Sequence, residues 1–184
     1  MQFLQLLFIL AVSYQLSAIS GFAQDMKEPN VAGQFYPADK DNLSRQIDSL
    51  LQKAAPDKVD GDIFCLISPH AGYDFSGQTA AFGYKLIQGK PYKTVIIIGP
   101  SHYYGFNGVS VYPSGKFRTP IGDLEIDAEF CQKIIQPKQN IDFIPQAFDK
   151  EHSAEVQLPF LQKALSDFKI VPIVTGDCDF QTLN

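Results

Sequence analysis

Two stretches decide how this chain folds: IFCLISPHAGY at 63–73 and VIIIGPSHYY at 95–104. Each opens on a continuous apolar run, 63–68 (IFCLIS) and 95–98 (VIII). Runs of that length and character are expected of strands buried on both faces. Between them, 77–88 reads as a helix, with Ala81, Tyr84 and Leu86 near its inner side. Strand, helix and strand in so short a span predict a βαβ unit with two parallel, neighbouring strands. Both runs end in a proline-containing turn that carries a histidine, so His70 and His102 are each expected just beyond the carboxyl end of a strand.

The flanking sequence fits the same class. Segment 31–37 reads as a loop tightened at Gly33, and Asp39 or Asp41 then caps a helix. Its apolar positions Leu43, Ile47, Leu50, Leu51 and Ala54 recur at helical spacing, and Pro56 and Gly61 end it. Downstream, 109–112 reads as a strand and 117–126 as a hairpin or extended excursion broken at Pro120 and Gly122. Asp127 caps a helix to about 135, and 141–144 is a short strand. Ser153 opens a helix with Val156, Phe160, Leu161, Ala164 and Leu165 on one side, in which Pro159 makes a kink or stays within the early turns. A last strand is expected at 170–174 (IVPIV), after which Asp177 and Asp179 look like caps of a helix whose apolar face is not written. The expected fold is α/β, a mixed and largely parallel sheet flanked by helices, belonging to a longer parent chain.

Composition narrows the partners. With 45% hydrophobic and 19% charged residues, a packed core is expected rather than disorder. The net charge of -5, with no Lys/Arg cluster, argues against nucleic acid and anionic membrane surfaces. Residues 1–24 carry no charged side chain, and 3–12 is apolar apart from Gln5. That run suits a signal-peptide core and is too short for a membrane span of about 20 residues. A signal peptide at 1–23, cleaved after Gly21-Phe22-Ala23, would leave an exported domain at 24–184 in the periplasm or outside the cell; an uncleaved anchor is the alternative, since no Lys or Arg precedes the run. Cys65, Cys131 and Cys178 show no metal-type spacing; the first two read as small buried hydrophobes, and a disulfide scaffold is not expected.

The chemistry centres on three histidines, the only ones in the chain. In open parallel sheets, ligands bind beyond the carboxyl ends of the strands. Neighbouring strands lie about 5 Å apart, so imidazoles from both loops can reach one ion at about 2.1 Å each. The alternative is that each His simply caps its loop. His152, in EHSAE at 151–155, can serve as general base, proton donor or metal ligand, with Glu155 on the same side of a first helical turn. Equally, Ser153 can cap that helix while Glu155 answers its dipole. Tyr73, Asp74, Tyr103 and Tyr104 are candidate pocket walls. No Gly-x-Ser-x-Gly elbow and no P-loop spacing occur, which sets aside a Ser/His hydrolase and a phosphate cradle.

VAGQFYPAD (31–39), ISPHAGYDFSG (67–77), IIIGPSHYYGF (96–106), RTPIGDLEID (118–127), EHSAEVQLPFL (151–161) and IVPIVTGD (170–177) occur in an order that resembles the MEMO family, whose prokaryotic members are often named AmmeMemoRadiSam system protein B. PHAGY and GPSH carry most of the resemblance. It implies a fold similar to class III extradiol dioxygenases, non-haem iron enzymes that use two histidines and a carboxylate, and a pocket that holds iron or copper. It further implies His70 and His102 as metal ligands and His152 as a nearby pocket residue. Beside it, Glu155 joins His152 as the candidate catalytic pair and Tyr73 and Tyr103 as the residues lining the cofactor. Later family motifs, a Ser-Asp-Phe segment with a His and a distal ligand that is Cys in some members, do not occur before Asn184, and Cys178 does not stand in their place. The expected activity is redox or dioxygenase-like, on a small aromatic molecule; the rival is a metal-free module that holds a peptide or a phenol in the same pocket.

Overall fold

The run at 95–98 does become a strand, but its partner is the last strand and not the run at 63–68. In a computed structural model that describes residues 26–135 and 140–177, β2 (Thr94–Pro100) lies parallel to β7 (Lys169–Thr175), in register from Thr94 opposite Lys169 to Pro100 opposite Thr175. The other face of β7 receives β3 (Val109–Val111) antiparallel, and β3 receives β6 (Ile141–Asp142) parallel, giving the order β2-β7-β3-β6. A second sheet has the order β1-β4-β5, built from β1 (Met26–Lys27), β4 (Lys116–Thr119) and β5 (Gly122–Glu125). The last two form the hairpin expected at 117–126, turning at Pro120 and Gly122. The class is therefore mixed α/β, with two mixed sheets flanked by helices.

The helices follow their capping chemistry. Asp39 accepts from the Asn42 N–H at 2.9 Å and starts α1 (Lys40–Lys53), which buries Leu43, Ile47 and Leu51. Asp127 accepts from the Phe130 N–H at 3.1 Å and starts α3 (Ala128–Ile135). Between them, α2 (Tyr73–Ile87) begins one turn earlier than the expected 77, because Gly72 caps it and Gly77 lies inside it, tight against Leu50. Pro159 lies in the first turn of α4 (Leu158–Ala164), where a missing N–H costs nothing. The residues before it, Glu155–Gln157, form a separate 3-10 turn instead of continuing one helix from Ser153. Helices α1, α2 and α4 pack on one another around Phe160, which stacks on Tyr84 at 5.0 Å and meets Tyr73 at 4.9 Å. Full burial of each large side chain of this kind stabilises by about 1.5–3 kcal/mol.

Segment 63–68 is the correction. It forms no regular structure, and Phe64 and Ile67 are 97% and 95% exposed. Cys65 is likewise exposed, whereas Cys131 is buried as expected. A run that is apolar on every side needs cover on every side, and the described residues supply little. Tyr92 donates a hydrogen bond to the Ile63 carbonyl, and Leu66 packs over Gly83 on α2. Between this segment and β2 lies an apolar groove of about 590 Å³, floored by Tyr84, Ile87 and Leu161. The outer residues of β2, Ile96 and Ile98, are exposed beside it. Residues 1–23, where a signal peptide is expected, Cys178 and the expected Asp179 cap fall outside the described residues. No helix among the described residues is long and apolar enough to cross a membrane.

One close approach fixes the end of β2. A Cβ added to Gly99 would lie 2.2 Å from Ser153 Oγ and 2.6 Å from Ser153 Cβ. Ser153 Oγ also donates to the Pro100 carbonyl at 3.0 Å, so loop 151–154 sits directly on the strand. Gly99→Ala must push that loop away. It is expected to lower stability by about 1–3 kcal/mol, read as a lower urea midpoint; an unchanged midpoint would show that the loop yields without cost.

Candidate functional site

The three histidines come from three loops that chain order keeps far apart. His102 leaves the end of β2, with the Ser101 N–H still bonded to the Thr175 carbonyl at 2.9 Å. His152 lies in the loop packed on Gly99. His70 sits at the end of the irregular segment, yet its loop is held: the Gln157 side-chain amide donates to the Pro69 carbonyl at 3.1 Å and accepts from Tyr84 Oη at 2.6 Å. The Tyr73 N–H bonds the Phe35 carbonyl at 2.7 Å just beyond it. A matched strand end was thus not needed to bring His70 to the site.

The rings converge. His102 stacks on His152 with centroids 4.6 Å apart and planes at 23°. His70 lies 5.1 Å from His102 and 6.1 Å from His152. Phe35 meets His152 edge-on at 4.6 Å, and Tyr103 does so at 5.8 Å. The His152 ring is buried and its Nδ1 has no hydrogen-bond partner among the described residues. Burial lowers its pKa from the ordinary value; the Glu151 charge opposes that, and the neighbouring His102 and His70 add to it. The ring is therefore neutral at pH 7, the form that offers a lone pair.

Glu151 was not among the residues singled out from sequence, and it organises the site. Its side chain is 2% exposed. Oε1 lies 2.9 Å from the His102 ring Nδ1 and accepts from the backbone N–H groups of His152 and Ser153, both at 2.8 Å. Oε2 accepts from the His102 N–H at 2.6 Å. Burial by itself would raise the carboxyl pKa, but the His102 backbone and ring, then the Ser153 and His152 N–H groups, outweigh it and hold the pKa at about 2. The only sequence signal was a Glu directly before a His.

The other expected residues divide. Glu155, paired in the sequence reading with His152, turns the other way. Its Oε1 accepts from the Val31 N–H at 3.0 Å and Tyr36 Oη at 2.6 Å, and its Oε2 from the Asn30 N–H at 2.7 Å. The break between the 3-10 turn and α4 directs it there, so it ties the N-terminal segment to the domain. Tyr73 lies in the core, its Oη donating to the Val156 carbonyl at 2.8 Å, and does not line the cleft. Tyr103 is 59% exposed at the rim, and Tyr104 leans on Phe106 instead. Asp74 is exposed and accepts from Gln46. Beside His70 and His152 opens a cleft of about 800 Å³ walled by Gln34, Phe35, Ile67 and Phe75. Phe35, in a loop, and Phe75, an outward residue in the first turn of α2, escaped the sequence reading because neither belongs to a periodic apolar pattern.

A family model described as "Memo-like protein" matches residues 27–184. The chain belongs to the Memo family. Among its relatives, a "MEMO1 family protein" of Nitrosopumilus maritimus (strain SCM1) is 38% identical over 157 residues, which is 83% of this chain and 57% of that protein. A "MEMO1 family protein" of Aquifex aeolicus (strain VF5) is 41% identical over 158 residues, 85% of this chain and 57% of that protein. The "Protein memo-1 homolog" of Caenorhabditis elegans is 35% identical over 172 residues, 92% of this chain and 48% of that protein. This Memo chain spans about half the length of the curated relatives it matches.

The depressed Glu151 pKa gives a pH signature. Its folded value, about 2, lies below the ordinary 4.5, so the stability it contributes is complete above about pH 4.5 and is lost as pH falls toward 2. Between those limits the metal-free chain should lose more stability than Glu151→Gln does. Parallel denaturation curves for the two proteins would reject this.

Proposed function

We propose that this Memo-family chain contributes the histidine wall of a mononuclear metal pocket, with His70 and His102 as nitrogen ligands to iron or copper. The observation that carries the reading is the meeting of the chain's three histidines, from three separate loops, with ring centroids 4.6 to 6.1 Å apart. The donor set fits: neutral imidazole suits iron and copper, and the buried, unpartnered Nδ1 of His152 is a polar atom that lacks a partner within the described residues. A bound iron or copper ion would supply one-electron exchange and an open coordination position for oxygen or a phenolic oxygen.

The chain's own residues do the rest. His152, neutral and enclosed by Phe35, Tyr103 and His102, is placed to hold or return a proton beside the two ligands. Phe35, Ile67 and Phe75 give one side of the cleft an apolar wall against which an aromatic ring can pack. Gln34 and Ser68 add polar groups to that lining. A substrate of this description is a small aromatic molecule or a peptide side chain. The reading also has the chain exported, on the uncharged apolar run at its N-terminus.

That apolar cleft favours a second reading, in which a peptide or phenol is held without metal and the histidines act as hydrogen-bond partners. Elemental analysis separates the two. His70→Ala and His102→Ala are each expected to reduce bound iron or copper to background, with the fold intact by circular dichroism. Metal content that both variants leave unchanged would overturn the ligand assignment. A metal-free wild-type protein that still binds a phenol supports the second reading.

A further inference from the structure

We infer that Glu151 is a positioning residue that locks His102 in the tautomer protonated at Nδ1, leaving Nε2 as the lone-pair nitrogen. The geometry leaves one assignment. An ionised carboxylate can only accept hydrogen bonds, and Oε1 lies 2.9 Å from the His102 Nδ1. The proton in that bond therefore belongs to the imidazole, and in the neutral ring the other nitrogen carries the lone pair. The same carboxylate holds the His102 backbone through Oε2 at 2.6 Å, so both the loop and the ring are set by one group.

The donor atoms of His102, Glu151 and His152 lie within 4.8 Å of one another, a spacing compatible with Glu151 itself as a ligand. Its hydrogen bonds argue otherwise. Four donors, the His102 ring and N–H and the N–H groups of His152 and Ser153, meet a carboxylate with about four lone-pair sites. Oε1 already takes three of them, so a metal bond from that oxygen would strip a partner from at least one, while Oε2 is engaged by the His102 N–H at 2.6 Å. Glu151 instead stands behind His102 as carboxylates commonly stand behind ligating histidines, fixing the tautomer and raising the basicity of the free nitrogen. It also ties the loop after β2 to the loop before α4, which keeps the His102 and His152 rings stacked. The consequence for metal rests on the histidine-centred reading above; the tautomer does not.

The test is long-range ¹H–¹⁵N correlation spectroscopy of the metal-free full chain at neutral pH, followed by titration with Co(II). Wild-type His102 should show a protonated Nδ1 and a bare Nε2. Glu151→Ala should move the ring to the Nε2-protonated form that free imidazole side chains favour, and weaken Co(II) binding by about 10- to 100-fold. Glu151→Gln, whose amide oxygen can still take the ring proton, should restore the wild-type tautomer and most of the affinity. A wild-type ring protonated at Nε2, or a folded alanine variant that keeps the Nδ1 proton, overturns the inference. If the alanine variant does not fold, the wild-type and Gln spectra decide it, because an Nε2 proton in either is fatal. A wild-type chain with the expected tautomer and no Co(II) binding sinks the metal reading alone.

Discussion

The parallel ladder between β2 and β7 is the constraint on which the rest of the structure depends. β7 is buried along most of its length and pairs on both sides, so its register fixes β2 and β3 together. The end of β2 fixes the loop that carries His102, and the absent side chain of Gly99 lets the His152 loop rest on that end. Backbone pairing thus sets the position of the His102 loop, and the Ser153 side chain seats the His152 loop on the same strand end. The third is brought in by side chains: Gln157, held by Tyr84, grips the Pro69 carbonyl.

Two buried glutamates four residues apart show how one chemistry serves two ends. Glu151 and Glu155 each take backbone N–H groups from a distant segment, Glu151 also from its own neighbours, and among the described residues neither forms a salt bridge with Lys or Arg. Glu151 joins the two loops of the site; Glu155 binds the segment around Asn30 and Val31 with help from Tyr36. A carboxylate in such a nest is stabilised by oriented dipoles without a direct salt bridge.

Much of this was legible in the sequence. The strands around 95–98, 109–112 and 170–174, the hairpin at 117–126 and the capped helices after Asp39 and Asp127 all carried local signals that tertiary packing did not override. The histidines were legible because residues of that kind are scarce and two of them follow proline turns. Segment 63–68 was misread because apolar continuity reports a need for cover and says nothing about whether a neighbour supplies it. Glu155 was misread because its spacing from His152 assumed a continuous α-helix, which Pro159 displaces to Leu158. Glu151 was missed because its partners are mostly backbone N–H groups, and backbone partners leave no trace in side-chain patterns.

The apolar groove beside β2 has a calorimetric meaning. Phe64, Ile67, Ile96 and Ile98 already face solvent in the folded chain. Hydration of Phe64 and Ile67 cancels between the folded and unfolded states, and that of Ile96 and Ile98 cancels in part. The heat-capacity change of unfolding and the steepness of the denaturant response scale with apolar surface newly exposed. Both quantities therefore fall below what the chain's hydrophobic content would suggest, and any molecule that covers the groove raises them together.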